Sequence, residues 1–168
     1  MRIPSGWSAR WTSGTSRTRS PSRTRSLVVL PHQLPAAAAA ARRLPGLRFV
    51  LDHAGKPAIA KMEAEPWASH LRDLAVGPNV FCKLSGLVTE ADWKHWRIED
   101  LRPFADTVLD AFGPERVMFG SDWPVCTLAA DYATVLGTAC GLTTRLDPYE
   151  QACVLGGTAR EAYRLTLP

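Results

Sequence analysis

The feature that most constrains this chain is a repeated alternation of short apolar runs with longer stretches of helical periodicity. The apolar runs are rich in β-branched and aromatic residues, as β-strands are, and occupy residues 27–30, 47–53, 79–86 and 116–122. Helical patterns follow them at residues 35–46, 63–75, 98–112, 128–139 and 147–164. Because neighbouring parallel strands need a long crossover, usually a helix, this alternation predicts an α/β fold with a parallel sheet.

The first 27 residues differ in character from the rest of the chain. They contain six arginines, many serines and threonines, no acidic residue and no apolar periodicity. Such a segment buries too little apolar surface to offset the entropy of ordering, so we expect residues 1–27 to be disordered and residues 28–168 to form the folded domain. Three interpretations of the segment stay open: a transit peptide, a basic tail for nucleic acid, or sequence foreign to the fold from a misassigned start or a frameshift.

Charge and cysteine usage restrict the class of protein. Removing the six arginines from the net charge of +4 leaves residues 28–168 at −2, so we do not expect the folded domain to bind nucleic acid. The four cysteines are scattered, with no Cys-x-x-Cys pair, which favours reduced thiols in a cytoplasmic protein. No apolar run reaches the roughly 18 residues that span a bilayer, so we expect no membrane association.

Polar residues with chemical capacity stand at the end of each predicted strand. They are His32, the pair Asp52-His53, Lys83 with Ser85, and the pair Ser121-Asp122. In parallel α/β folds, ligands and catalytic groups lie at the carboxyl ends of the strands. Four such ends in succession therefore predict one site on one face of a barrel.

Each of these residues also has an ordinary structural interpretation. His32 can lie in a loop, and His53 can be a hydrogen-bonded structural histidine. Lys83 can be a surface lysine with a packed stem, and Asp122 can cap a turn. The residue pattern alone leaves these alternatives open.

Four stretches together closely resemble the C-terminal half of the amidohydrolase-related family. They are FVLDHAGKP (49–57), NVFCKLSGLVTEADW (79–93), FGPERVMFGSDWPV (112–125) and LGGTAREAYRL (155–165). The resemblance covers about residues 28–166 and is greatest to the sugar-lactone hydrolases, the fuconolactonase- and rhamnonolactonase-like branch. It implies the C-terminal half of a (β/α)₈ barrel and a role in carbohydrate metabolism.

The resemblance also implies how the site works. By motif, Asp122 matches the aspartate of the eighth strand, which would activate water, and His53 matches the histidine of the sixth, which would hold a metal or polarise the lactone carbonyl. Lys83 would end the seventh strand and His32 the fifth. We expect substrate contacts from Lys83, His32, Ser85 and Trp123. If a divalent metal is bound, His53 and Asp122 would be ligands and zinc is the expected ion; a metal-independent site is the alternative.

The chain departs from the family pattern in one important respect. A complete barrel needs about 250 residues, and the family takes a His-x-His from its first strand, but this 168-residue chain contains no His-x-His. We therefore expect an N-terminally truncated or frameshifted product that is weak or inactive alone. Open sheet edges and an exposed inner face would favour a homo-oligomer.

Two further hypotheses compete with lactone hydrolysis. Related barrels also carry out decarboxylation, so an amidohydrolase-like decarboxylase is the second enzymatic candidate. The third candidate is a non-catalytic fragment whose basic tail, residues 16–26, binds nucleic acid.

Overall fold

A four-stranded parallel sheet organises residues 24–166, the part of the chain that the computed structural model describes. The strands lie side by side in chain order, and each pairs in parallel with the next. They are β1 (Thr24–Leu27), β2 (Arg48–Leu51), β3 (Val80–Leu84) and β4 (Val117–Phe119). The predicted α/β class with a parallel sheet is confirmed.

Helices connect the strands and continue after the last one. In chain order they are α1 (Leu34–Arg43), α2 (Trp67–Ala75), α3 (Leu87–Glu90), α4 (Ile98–Phe112), α5 (Tyr132–Leu142), α6 (Pro148–Ala152) and α7 (Thr158–Tyr163). A π-helical turn, Cys153–Gly157, joins the last two. None of the described helices is both long and apolar enough to cross a membrane.

Both faces of the sheet carry apolar side chains, because successive strand residues point to opposite sides. On one face Leu51, Cys82 and Val117 join the main core with the helices α1, α2 and α4. On the other face Val50, Phe81 and Met118 form a smaller cluster with Ala162 of α7. The covering on both sides accounts for the nearly continuous hydrophobic character of β2, β3 and β4.

The first strand differs from its predicted position. It covers Thr24–Leu27, whereas the apolar run at residues 27–30 was predicted to be the strand. Leu27 pairs with Leu51, the last residue of β2, so β2 offers no pairing partner to the residues that follow Leu27. Val28 is consequently 65% exposed. Residues 24–27 therefore belong to the sheet, although they were predicted to be disordered. Residues 1–23, the rest of that predicted segment, lie outside the described residues.

Helix predictions succeeded where both an apolar stripe and a stop signal were present. The helix predicted at residues 98–112 is Ile98–Phe112 in the structure, and it ends at Gly113, whose φ of +73° favours glycine. The helix predicted at residues 147–164 is interrupted by the π-helical turn. The short helix α3 was not predicted, because four residues are too few to display a helical period.

Arg116 ties together three elements at the amino-terminal end of the sheet. Its Nη1 donates to the carbonyl oxygens of Ala75 at 2.9 Å and Gly77 at 3.1 Å, and its Nε donates to that of Phe112 at 3.0 Å. The side chain thus joins the ends of α2 and α4 just before β4 begins. The Ala75 and Phe112 carbonyls are the last of their helices, where carbonyls lack intrahelical partners; the Gly77 carbonyl also accepts from the Val80 amide.

Replacing Arg116 should weaken the fold substantially. We expect Arg116→Met to lower the free energy of unfolding by about 2–3 kcal/mol, since it removes charge-assisted hydrogen bonds and leaves partly buried carbonyls unpaired. Urea denaturation followed by circular dichroism would measure the loss.

Arg145 provides the matched control. Its Nε lies 3.2 Å from Asp106 and its Nη2 lies 2.5 Å from Asp110, on the protein surface. Because exposed ion pairs contribute little, Arg145→Met should cost less than about 1 kcal/mol. Equal losses for the two variants would contradict the structural role given to Arg116.

Candidate active site

The carboxyl ends of β2, β3 and β4 bring the predicted site residues to one edge of the sheet. Leu51 pairs with Cys82, so Asp52 and His53 emerge beside Lys83. Leu84 pairs with Phe119, so Ser85 emerges beside Gly120, and Asp122 follows two residues later. Adjacent parallel strands therefore place polar groups from distant parts of the sequence in one small region.

His53 is at the centre of this region. Its Nδ1 lies 3.1 Å from Ser85 Oγ and 3.6 Å from Asp122 Oδ1. The His53 and Asp122 side chains keep 22% and 12% exposure, so both are largely buried yet accessible from one side. Among the described residues, the contacts of the ring fall on Nδ1, which leaves Nε2 for a substrate or an ion.

Both central residues adopt left-handed backbone conformations. His53 has φ of +53° and Asp122 has φ of +58°, and the turn that begins with His53 continues left-handed through Ala54, Gly55 and Lys56. Left-handed conformations cost non-glycine residues about 1–2 kcal/mol each. Strain of this kind concentrates at functional sites, where surrounding contacts maintain it.

The strained turn after β2 is held by a buried tryptophan. Trp67, the first residue of α2, donates from Nε1 to the Ala54 carbonyl at 2.7 Å. The indole is almost fully buried and packs against Phe104 of α4. Contacts with the main core therefore fix the conformation of the turn that positions the His53 side chain.

Two glycines allow the strand ends to approach one another. A Cβ on Gly86 would lie 2.9 Å from His53 Nδ1, and Gly86 also has φ of +65°. A Cβ on Gly120 would lie 3.0 Å from the Ser85 Cβ. Glycine at both positions is thus needed for the contacts among His53, Ser85 and Asp122.

Lys83 is paired with a buried carboxylate. Its Nζ lies 2.5 Å from Asp52 Oδ1, and Asp52 is only 6% exposed. Nζ also lies 5.8 Å from the ring centroid of Tyr163 in α7. Burial alone would lower the pKa of Lys83, but the hydrogen bond and the charge of Asp52, together with Tyr163, raise it above the ordinary value. Lys83 is therefore a charged ammonium at neutral pH.

The unpredicted helix α3 lies beside Asp122. Thr89 Oγ1 is 3.4 Å from Asp122 Oδ2 and donates to the Gly86 carbonyl at 2.8 Å. The neighbouring Glu90 forms an ion pair with Lys56. This helix consequently links the turn after β2 with the aspartate after β4.

The remaining predicted residues have different positions. His32 is exposed in a 3₁₀ turn, and among the described residues no hydrogen bond or ion pair joins it to the other candidates. Ser85 was expected to contact the substrate. It is 4% exposed, and its hydroxyl lies against His53. Trp123 follows Asp122 and is 67% exposed, which leaves its indole available at the rim.

The described residues do not form a complete metal site. No group of three His, Cys, Asp or Glu side chains within residues 24–166 is arranged to hold a metal ion. His53 and Asp122 provide two donors, whereas a catalytic zinc usually takes three protein ligands. Zinc at this position would need ligands beyond these two.

Comparison with known proteins identifies the family. The Amidohydrolase family model matches residues 23–165. An L-fucono-1,5-lactonase from Burkholderia multivorans is 47% identical over 152 residues, covering 84% of this chain and 51% of that protein. An L-fucono-1,5-lactonase from Burkholderia ambifaria is 45% identical over 145 residues, covering 84% and 50%.

A solved structure agrees with the sequence comparison. The crystal structure of an amidohydrolase from Burkholderia multivorans with bound zinc superimposes with a TM-score of 0.82 and 44% identity, over 85% of this chain and 53% of that one. The chain spans about half the length of the curated relatives it matches. The parallel α/β architecture and this coverage fit the C-terminal half of a barrel, and the chain belongs to the amidohydrolase family.

Proposed function

We propose that this chain contributes half of the active site of an enzyme that hydrolyses a sugar-type lactone. The observation that carries the proposal is the pairing of His53 and Asp122, 3.6 Å apart on left-handed backbone after β2 and β4, the two strands that flank β3. The 47% identity to an L-fucono-1,5-lactonase supports the choice of a lactone as substrate. Lactone hydrolysis needs an activated water and a group that stabilises the developing oxyanion, and this pair supplies candidates for both.

Asp122 is the proposed general base. Its carboxylate would accept a proton from the water that attacks the lactone carbonyl, while Thr89 beside Oδ2 would limit its rotation. The proton would then pass to the ring oxygen as the C–O bond breaks. The products are the open-chain hydroxy acid and a regenerated carboxylate.

His53 is the proposed electrophile. If the Ser85 hydroxyl donates to Nδ1, the neutral imidazole carries its proton on Nε2 and can donate it as a hydrogen bond to the lactone carbonyl. Ser85 then orients His53, while Lys83, Trp123 and, from the loop after β1, His32 are the proposed substrate contacts.

A divalent metal is the alternative partner for His53. The zinc in the Burkholderia multivorans amidohydrolase supports one, and His53 and Asp122 would be this chain's contribution to its ligands. Chelator treatment of an active, complete barrel would separate the two roles: loss of activity that zinc restores favours the ligand role, and insensitivity favours direct polarisation of the carbonyl.

The proposal can be tested in a complete barrel. The N-terminal half of the Burkholderia multivorans lactonase, joined to this chain from residue 24 onwards, should open sugar lactones with release of a proton. Asp122→Asn should lower kcat about 10²–10⁴-fold, because it removes the general base. Asp131→Asn is the control: it removes one carboxylate charge at the N-cap of α5, where the asparagine oxygen can still accept from the Thr134 amide, and it should leave kcat unchanged. A fully active Asp122→Asn enzyme would refute the role of Asp122.

The same fusion separates hydrolysis from decarboxylation. Lactones and unsaturated carboxylic acids are supplied in parallel, with proton release measured for the first group and carbon dioxide for the second. Carbon dioxide release without lactone opening would show that the enzyme is a decarboxylase and would refute lactone hydrolysis as its function.

The purified chain on its own should show little or no lactonase activity, because it has no His-x-His and only part of the site. A pH-indicator assay at high protein concentration would detect residual turnover. Robust turnover that Asp122→Asn abolishes would show that the chain alone, or its homo-oligomer, assembles a working site.

Gly86 tests whether the position of His53 matters. We expect Gly86→Ala in the fusion to lower kcat about 10–100-fold, since the added methyl group would displace the imidazole. Gly113→Ala is a matched control: Gly113 also has a positive φ, but no atom lies within 4 Å of the added Cβ. Both variants should lose stability, Gly113→Ala the more, because a φ of 73° with a ψ of 154° is adopted readily only by glycine, whereas Gly86 lies in the left-handed helical region. A similar loss of kcat in both variants would contradict the specific effect on His53.

A further inference from the structure

We propose that Asp52 and Tyr163 are positioning residues that hold the Lys83 ammonium in place on the face of the sheet against which α7 packs. Neither belongs to the set of residues assigned above to catalysis or substrate contact. The inference rests on the proposed function for the role of Lys83, but the placement of its side chain can be tested without any activity.

The strand geometry brings Asp52 and Lys83 together. Asp52 directly follows Leu51, which pairs with Cys82, so the carboxylate stands next to Lys83 at the end of the neighbouring strand. Only 8% of the Asp52 side chain is exposed, compared with 26% for Lys83. A carboxylate this deeply buried needs a cationic partner, and the 2.5 Å contact with Nζ provides one.

Tyr163 approaches the same ammonium from the end of the chain. Alternation along β3 places Lys83 on the same face as Phe81, where α7 packs. The ring of Tyr163 lies 5.8 Å from Nζ, within the range of a cation–π contact. Lys83 is thus confined between a carboxylate at the strand end and an aromatic ring.

Helix α7 is fixed firmly enough to position a ring. Thr24 Oγ1 donates to the Ala162 carbonyl at 2.8 Å, and Arg48 Nη1 donates to the Glu161 carbonyl at 2.6 Å. Thr158 Oγ1 donates to the Pro114 carbonyl at 3.2 Å. These contacts anchor α7 to residues at or before the starts of β1, β2 and β4. The position of Tyr163 relative to Lys83 is therefore fixed by the sheet.

The direct test is the rate at which an acylating reagent modifies Lys83 in the purified full chain. The chain has four lysines, and exposed Lys61 serves as the internal reference within each sample. Acetic anhydride at a fixed pH of about 9, followed by peptide mass spectrometry, gives the ratio of the two rates. The paired and confined Lys83 should react more slowly than Lys61.

The variants give graded expectations. Asp52→Asn should raise the Lys83 to Lys61 ratio about tenfold, because it removes the charge of the close ion pair with Lys83. Tyr163→Leu should raise it about twofold to fivefold, whereas Tyr163→Phe, which keeps the ring, should restore most of the protection. The exposed residues Asp73 and Tyr149 supply matched controls, and Asp73→Asn and Tyr149→Leu should leave the ratio unchanged.

An unchanged ratio in both Asp52→Asn and Tyr163→Leu, or equal reaction of Lys83 and Lys61 in the unaltered chain, would overturn the proposal. Tyr163→Phe keeps the test valid if Tyr163→Leu fails to fold: loss of protection in the phenylalanine variant would also contradict the role of the ring.

Kinetics of the complete barrel provide the second readout. Asp52→Asn should raise KM about tenfold with a smaller effect on kcat, and Lys83→Gln should do the same. In the double variant, KM should rise little more than in either single variant, because both changes disrupt the same ion pair. If Lys83→Gln leaves KM unchanged, the proposed substrate contact fails, while the acylation ratio still decides whether Asp52 and Tyr163 hold Lys83.

Discussion

The parallel pairing of β2, β3 and β4 is the constraint on which the candidate site depends. The pairs Leu51–Cys82 and Leu84–Phe119 decide which residues leave the sheet next to one another. A shift of one residue between β2 and β3 would turn the alternate side chains to the opposite face and separate Lys83 from Asp52. The apolar residues on both faces of the sheet therefore do more than stabilise it, because they select the register that assembles the polar edge.

Strain and stability are located at opposite ends of this sheet. At the carboxyl end, His53 and Asp122 adopt left-handed backbone and are held by contacts from elsewhere in the fold. At the amino-terminal end, Arg116 satisfies helix-end carbonyls. This division is the usual one in parallel α/β barrels, where the carboxyl ends carry chemistry and the other end carries stability. It leaves the residues around the site free to adopt conformations that a less well-anchored sheet would not tolerate.

Much of the fold could be predicted from sequence, because the chain contains strong local signals. The helix Ile98–Phe112 combined an apolar stripe with a glycine stop, and three of the four strands were found at their apolar runs. Strand β1 was misplaced because residues 27–30 have high β propensity, while the pairing with β2 selects Thr24–Leu27. Local preference gave way to tertiary register.

The candidate site was predictable only in part. His53, Lys83 and Asp122 could be named as candidates because each stands at or just after the end of an apolar run, and the structure brings His53 and Asp122 together. Thr89 and Tyr163 were missed, since neither stands at a strand end and their positions depend on how α3 and α7 pack. Ser85 was named as a substrate contact, whereas the 3.1 Å approach of its hydroxyl to His53 Nδ1 was not predicted, because it depends on how closely the strand ends meet at Gly86 and Gly120.

The buried pair of Asp52 and Lys83 has a consequence for how such a sequence can diverge. The two residues lie on neighbouring strands and together carry no net charge. Loss of either one alone would leave an uncompensated buried charge, which is strongly destabilising, whereas replacement of both by neutral groups of similar size need not be. Evolutionary drift at these two positions is therefore coupled: descendants of this sequence should keep both residues or exchange both, and intermediates with only one of them should be rare.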